Sequence, residues 1–286
     1  MNKEILVFKQ VGEITLDCDL YQPKKLGNGK VIMWLHGGGL MAGSKNHIPS
    51  YQLQAYLDAG FSVAAFDYRL APETKLTEIL KDVSDAYEWL SKKFKDIAVV
   101  GHSAGGYLSL YLSTKYSSIK AVVSFYGYGS LIDTWTHTPS AHYLEQDLIS
   151  REDAITAVGH RELGDADGQF QRFKFYAHTR QTGGWAEAVT GKAPNESALE
   201  FVQCSPIFSL HSSMPTTLLF HAKDDWDVPY EQSHAFYLKS KALGNDCQLE
   251  PLEEGGHMFD MPVDGEPSER AASSIEQTVA FLKQQF

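Results

Sequence analysis

Apolar and polar positions along the chain follow two periods that alternate. Short, nearly continuous apolar runs occur at Val31–Leu35, Phe61–Phe66, Ile97–Val100, Ala121–Phe125 and Thr217–Phe220. Runs of this length predict strands buried on both faces. Gln248–Leu252 is a weaker run that would close the series. Between the runs, Leu76, Ile79, Leu80, Val83, Tyr87 and Leu90 form one stripe at i, i+3, i+4 and i+7 spacing, and Ile275, Val279 and Leu282 repeat it near the C-terminus. Such stripes predict amphipathic helices. Near the N-terminus, Ile5–Phe8 and Ile14–Leu20 flank Gly12 and predict an opening hairpin. The alternation implies an α/β fold with a mostly parallel sheet of about eight strands and helices on both faces. Ligands on such sheets bind at the carboxyl ends of the strands, so motifs placed directly after strands carry most weight.

One stretch breaks the rhythm. Residues 128–204 are polar, glycine-containing and aromatic, with no clear strand. A structureless loop of that length is improbable in a compact domain. We therefore expect an inserted helical cap over 128–204, carried on a core made of 1–127 and 205–286. Its Trp135, His137, His142, Tyr143, Phe170, Phe173, Phe175, Tyr176 and Trp185 are expected mostly to form the cap's own core. The remainder would face an acyl or aromatic pocket. No extended apolar surface suggests binding at a lipid interface.

Composition narrows the function classes. Hydrophobic residues at 43% and charged residues at 21% fit a soluble globular protein. A net charge of −11 argues against nucleic-acid or anionic-membrane partners. No apolar run approaches the ~20 residues of a membrane helix, and MNKEILVFKQ is too short an apolar start for a secretory signal. Cys18, Cys204 and Cys247 are odd in number and scattered, which fits reduced thiols in a cytoplasmic protein. No Cys/His spacing suggests zinc, and neither metal nor cofactor is expected.

Two motifs follow strands. Gly101-His102-Ser103-Ala104-Gly105-Gly106 comes directly after Ile97–Val100 and leads into the helical run Tyr107–Leu112. This is the strand–turn–helix setting of a nucleophile elbow, with Ser103 at a sharp turn where side chains at Gly101 or Gly105 would collide with backbone. The pentapeptide pattern alone is weak, because a glycine–serine turn also starts helices; its position is what favours a nucleophile. His36-Gly37-Gly38-Gly39 follows Val31–Leu35. Consecutive glycines let backbone N–H groups approach a substrate closely, as an oxyanion hole requires. A phosphate loop would need a different spacing and usually a lysine.

Where a hydrolase carries an elbow of this kind, its triad runs Ser, Asp or Glu, His along the chain, so a base would lie downstream of the acid. Of the histidines beyond the expected cap, His221 precedes every candidate acid and His234 lies within a predicted helix. His257 follows Gly255-Gly256 after the last predicted strand, where a base belongs. His36 and His102 are expected to orient loops. Asp224, Asp225 and Asp227 crowd the loop after Thr217–Phe220, and loop position alone does not choose among them. Asp227 stands near the start of the helix after Val228-Pro229, a sufficient structural role for a carboxylate.

Read together, His36–Gly39, Asp67-Tyr68-Arg69-Leu70-Ala71-Pro72-Glu73, Gly101–Gly106, Asp225–Pro229 and Gly256-His257 resemble the hormone-sensitive-lipase-like carboxylesterases of the α/β-hydrolase superfamily. The resemblance spans nearly the whole chain. It implies an α/β-hydrolase fold and an oxyanion hole made by the N–H groups of Gly38, Gly39 and Ala104. It also implies that the acid is Asp225, the aspartate four residues before Pro229, with Asp224 as the alternative, and that Asp67 and Arg69 are scaffold. Many members carry an N-terminal helical cap, whereas here the expected cap lies at 128–204, which leaves the substrate class open. The expected activity is hydrolysis of small or short-chain carboxylic esters through an acyl-enzyme formed on Ser103. Amidase, formamidase or peptidase chemistry with the same triad is the alternative. A non-catalytic binding module would be expected to lack a triad member, and none is missing here.

Overall fold

The apolar runs pair into one eight-stranded sheet in a computed structural model that describes residues 2–24, 27–159, 161–194, 196–262 and 266–286. The strands are β1 (Asn2–Val11), β2 (Ile14–Gln22), β3 (Lys30–Leu35), β4 (Ser62–Phe66), β5 (Asp96–His102), β6 (Ala121–Phe125), β7 (Thr216–Ala222) and β8 (Cys247–Leu252). Their spatial order is β1-β2-β4-β3-β5-β6-β7-β8. β1 and β2 form an antiparallel hairpin, β2 runs antiparallel to β4, and every other neighbour pair is parallel. The hairpin is longer than its apolar residues suggest, because polar positions on both sides also pair across it.

Alternation within β3 shows why the runs read as continuous. Val31, Met33 and Leu35 enter one core layer, while Ile32 and Trp34 enter the other. Helices α1 (Ser50–Asp58) and α10 (Glu269–Gln285) cover the second face. Helices α2 (Leu76–Ser91), α3 (Ala104–Lys115) and α9 (Glu231–Ala242) cover the first. The whole expected stripe of α2, from Leu76 to Leu90, is buried.

Between β6 and β7 the chain leaves the sheet. It forms α4 (Ala141–Leu144), α5 (Arg151–Thr156), α6 (Arg172–Thr182), α7 (Trp185–Thr190) and α8 (Ala198–Cys204). Helix α6 is bolted to the sheet domain by buried Arg172. Its Nε donates to the Met41 carbonyl at 2.7 Å, and its Nη1 and Nη2 donate to the Glu73 carboxylate at 2.9 and 2.8 Å. Nη2 also donates to the Ala71 carbonyl at 2.8 Å. Arg69 makes a parallel tie, donating to Asp82 from Nε at 2.8 Å and to Glu162 from Nη1 at 3.2 Å. Asp67 is paired with Lys45. The segment from Asp67 to Glu73 thus braces the β6–β7 segment against the sheet.

Among the described residues, no helix is long and apolar enough to cross a membrane. All three cysteines are free and buried. Burial pushes the Cys18 and Cys247 thiols up to about 12 and that of Cys204 up to about 11, far from the reactive thiolate form.

Candidate active site

Ser103 sits between the end of β5 and the first residue of α3, with φ 54° and ψ −115°. A serine held in that region is strained, and the packing around it keeps it there. A Cβ on Gly101 would fall 2.0 Å from the Gly105 carbonyl oxygen, and one on Gly105 would fall 2.1 Å from the Leu35 carbonyl oxygen. Both obstacles are backbone, so neither can turn aside. Gly105→Ala should therefore lower stability by at least the ~1–3 kcal/mol typical of an overpacked core. Chemical denaturation would show it, and a variant as stable as the parent would mean that the elbow is looser than described.

His257 lies on the loop after β8. Its Nε2 stands 3.0 Å from Ser103 Oγ, and its Nδ1 stands 2.8 Å from Asp225 Oδ2. Hydrogen bonding to a carboxylate places the ring proton on Nδ1 and leaves the Nε2 lone pair facing the serine hydroxyl. Asp225 is itself fixed: its Oδ1 accepts from the N–H groups of Asp227 at 2.8 Å and Val228 at 2.9 Å. His221 Nε2 lies 3.2 Å from the same Oδ2 that faces His257. Burial alone would raise the Asp225 pKa, but His257 and His221 outweigh it and hold the carboxyl well below its ordinary range. Burial would likewise lower the His257 pKa, but the Asp225 charge, helped by Asp227 and Asp260, carries it above its ordinary value.

The neighbouring aspartates separate clearly. Asp224 accepts from the N–H groups of Gly255 at 3.1 Å and Gly256 at 2.8 Å, so it holds the loop that presents His257 rather than the ring. Asp227 differs from the sequence expectation. Helix α9 begins at Glu231 with Tyr230 as its N-cap, so Asp227 does not serve that helix end. It is buried and turned toward α6 instead, where its carboxylate accepts from Tyr176 Oη.

Gly37 lies against the elbow, and Gly38 and Gly39 follow it in the same loop. A Cβ on Gly37 would meet Ser103 Cβ at 3.3 Å. Gly38 and Gly39 have φ of 110° and 61°, and a Cβ on Gly39 would enter the ring of Tyr176 at 2.3 Å. Trp185 Nε1 donates to the Gly39 carbonyl at 3.0 Å, so the β6–β7 segment also sets this loop. Among the described residues, the N–H groups of Gly38, Gly39 and Ala104 have no protein acceptor. Three N–H groups left free beside a serine can bind an oxygen that becomes negative.

His36 is buried and stacked on Tyr68 at 4.1 Å, and Tyr68 Oη donates to the His36 carbonyl at 2.8 Å. Burial carries the His36 pKa down to about 3, so a neutral ring packs behind the loop. His102 is also buried, with Nε2 3.0 Å from Asp260 Oδ2. Asp260 further accepts from Tyr126 Oη and Gln52 Nε2, both at 2.6 Å, and the Tyr126 ring meets the His257 ring edge-on at 4.6 Å. This buried layer behind His257 is absent from the sequence reading, since nothing local marks Asp260 or Tyr126.

A cavity of about 160 Å³ opens beside Asp225, lined also by Trp135, Ser140, Arg180, Trp226 and Asp227 among others. Trp135 stacks on Trp185 at 5.6 Å, and Tyr143 and Tyr176 are buried. Phe170 is 70% exposed and Phe173 44%, and both line a second cavity of about 520 Å³ with Tyr143 and Ile149. Leu144, Leu148 and Ile155 are exposed too, so the β6–β7 segment shows more apolar surface than its sequence suggested. Among the described residues, no group of three or more His, Cys, Asp or Glu is placed to hold a metal ion.

Comparison with known proteins covers most of the chain. The chain is 23% identical to a protein of unknown function from Staphylococcus aureus subsp. aureus Mu50, with a TM-score of 0.83 over 100% of this chain and 99% of that one. An α/β hydrolase superfamily protein from Enterococcus faecalis is 21% identical, with a TM-score of 0.80 over 99% of this chain and 98% of that one. The non-reducing polyketide synthase adrD of Penicillium roqueforti is 27% identical over 343 aligned residues, covering 99% of this chain. The chain spans about 14% of the length of that synthase. The model of the BD-FAE family matches residues 18–240, from the hairpin through the elbow and Asp225 into α9. With its eight-stranded, mostly parallel sheet, the chain has the α/β-hydrolase fold and belongs to the BD-FAE family.

Proposed function

We propose that the protein is a serine hydrolase that cleaves carboxylic esters through an acyl-enzyme. The observation that carries this reading is the continuous chain from Ser103 Oγ through His257 to Asp225, at 3.0 and 2.8 Å, on a strained elbow. His257 takes the proton from Ser103 as the oxygen attacks the ester carbonyl. Asp225 keeps the ring in the required tautomer and stabilises its charged form. The N–H groups of Gly38, Gly39 and Ala104 receive the oxyanion. His257 returns the proton to the leaving alcohol, then activates water to release the acid. The β6–β7 segment acts as a fixed cap, since α6 is tied to Met41, Ala71 and Glu73. A fixed aromatic cap favours small or short-chain acyl groups. A panel of esters, anilides and peptides, with fluorophosphonate labelling of Ser103, tests the reading. Ester turnover falling with acyl length supports it; faster anilide or peptide turnover would reassign the leaving group, and an unlabelled Ser103 would remove the mechanism.

The pH profile follows from the His257 environment. The base must be neutral, and its pKa is raised above the ordinary value of about 6.5. Activity is therefore lost from a higher pH downward than for an unperturbed histidine. The acid limb of kcat/KM on a neutral ester should have its midpoint above 6.5 and level off beyond it. A midpoint well below 6.5, with chemistry rate-limiting, would contradict the arrangement.

A further inference from the structure

We propose that Asp227 is a positioning residue for His257, stabilising from the Nε2 side the imidazolium that forms when Ser103 attacks. The inference rests on the serine-hydrolase reading and adds a second carboxylate to it. Asp227 Oδ2 lies 3.9 Å from His257 Nε2. That is too far for a hydrogen bond, so the nitrogen stays free to take the serine proton. It is near enough for an opposite charge to favour the protonated ring.

The carboxylate is held there deliberately. Asp227 is only 6% exposed, and Tyr176 Oη donates to its two oxygens at 2.9 and 2.8 Å. Arg180 Nε stands 3.2 Å from Oδ1, while Nη2 donates to the Asp227 carbonyl at 2.8 Å and Nη1 to the Trp135 carbonyl at 2.7 Å. Tyr176 and Arg180 are one turn apart on α6, so they reach Asp227 from the same helix face. A buried carboxylate is costly unless paired, and this one is paired: Tyr176 reaches both oxygens and Arg180 stands at Oδ1. Oδ2 is left as the oxygen nearer His257 Nε2, without a hydrogen bond to it.

The other groups around His257 are Asp225 at Nδ1, Ser103 at Nε2, the Tyr126 ring with Asp260 behind it, and the Trp226 ring. His221 stands behind Asp225, and Arg180 stands behind Asp227. Arg180 opposes Asp227, so a helix of the β6–β7 segment tempers the share of the pull that Asp227 adds to that of Asp225.

That opposition provides the test. Asp227→Asn keeps the side-chain size and an oxygen for the Tyr176 hydroxyl, but removes the charge. Arg180→Gln keeps a hydrogen-bond donor but leaves Asp227 less compensated. We would follow the His257 ring by NMR titration of the histidine-labelled full chain, assigning its signal by its loss in His257→Gln. Asp227→Asn should move the His257 midpoint down by about one pH unit, and Arg180→Gln should move it up. The acid limb of kcat/KM should move in parallel. No shift in Asp227→Asn, or shifts of the same sign in both variants, would overturn the proposal. Should Asp227→Asn fail to fold, Arg180→Gln alone decides, since an unmoved midpoint there also overturns it. The titration needs no turnover, so opposed shifts in a chain inactive on every ester would retain the electrostatic coupling while rejecting the hydrolase reading.

Discussion

Ser103→Ala should abolish ester turnover while leaving the fold intact. Loss of a nucleophile of this kind costs about a millionfold in kcat. Removing the hydroxyl deletes one hydrogen bond, to His257, and relieves none of the packing that fixes the elbow, since Gly101 and Gly105 meet backbone rather than the serine oxygen. Measured turnover, fluorophosphonate labelling and the unfolding midpoint should therefore separate cleanly: the first two lost, the third unchanged. Residual activity within tenfold of the parent would mean that another group attacks the substrate.

Asp225→Asn should lower kcat by about 10⁴-fold. The reason is specific to this loop. Asp225 Oδ1 accepts two backbone N–H groups, from Asp227 and Val228. An asparagine must keep its oxygen there, which turns its NH₂ toward His257 Nδ1. Facing a donor, the imidazole carries its proton on Nε2 instead, and that nitrogen can no longer accept from Ser103. Asp224→Asn should cost far less, because an amide oxygen can still receive one of the Gly255 and Gly256 N–H groups that Asp224 accepts. Kinetic comparison of the two purified variants checks the pair. If Asp224→Asn were the crippled one, the assignment of roles within the loop would be reversed.

These roles were unequally legible in the sequence. The strands and α2 were readable because burial on both faces, or on one stripe, leaves a local periodic record. Ser103 and His257 stood out as candidates because each follows a strand and glycine marks the turn that presents it, and the structure brings the two together. The choice between Asp224 and Asp225 was not local. Both carboxylates reach the His257 loop, one at its backbone and the other at its ring, and only the family resemblance, not the local pattern, favoured Asp225. Asp227 was misread as a helix-start residue because its partners, Tyr176 and Arg180, are 51 and 47 residues away in the chain. Asp260 left no trace for the same reason: Gln52 and Tyr126 come to it from other layers.

The long excursion between β6 and β7 has a kinetic side. These strands are hydrogen-bonded neighbours, yet about 90 residues separate them in the chain. Closing a loop of that length carries an entropic cost of about 4 kcal/mol beyond a length-independent constant. Ser103 and the loop of Gly37 to Gly39 belong to the part of the chain before the excursion, whereas Asp225 and His257 arrive only after it. Ser103 and His257, 154 residues apart, meet across this gap. Long-range strand pairing is intrinsically slow to form, and the meeting of Ser103 with His257 is among the least local contacts in the molecule.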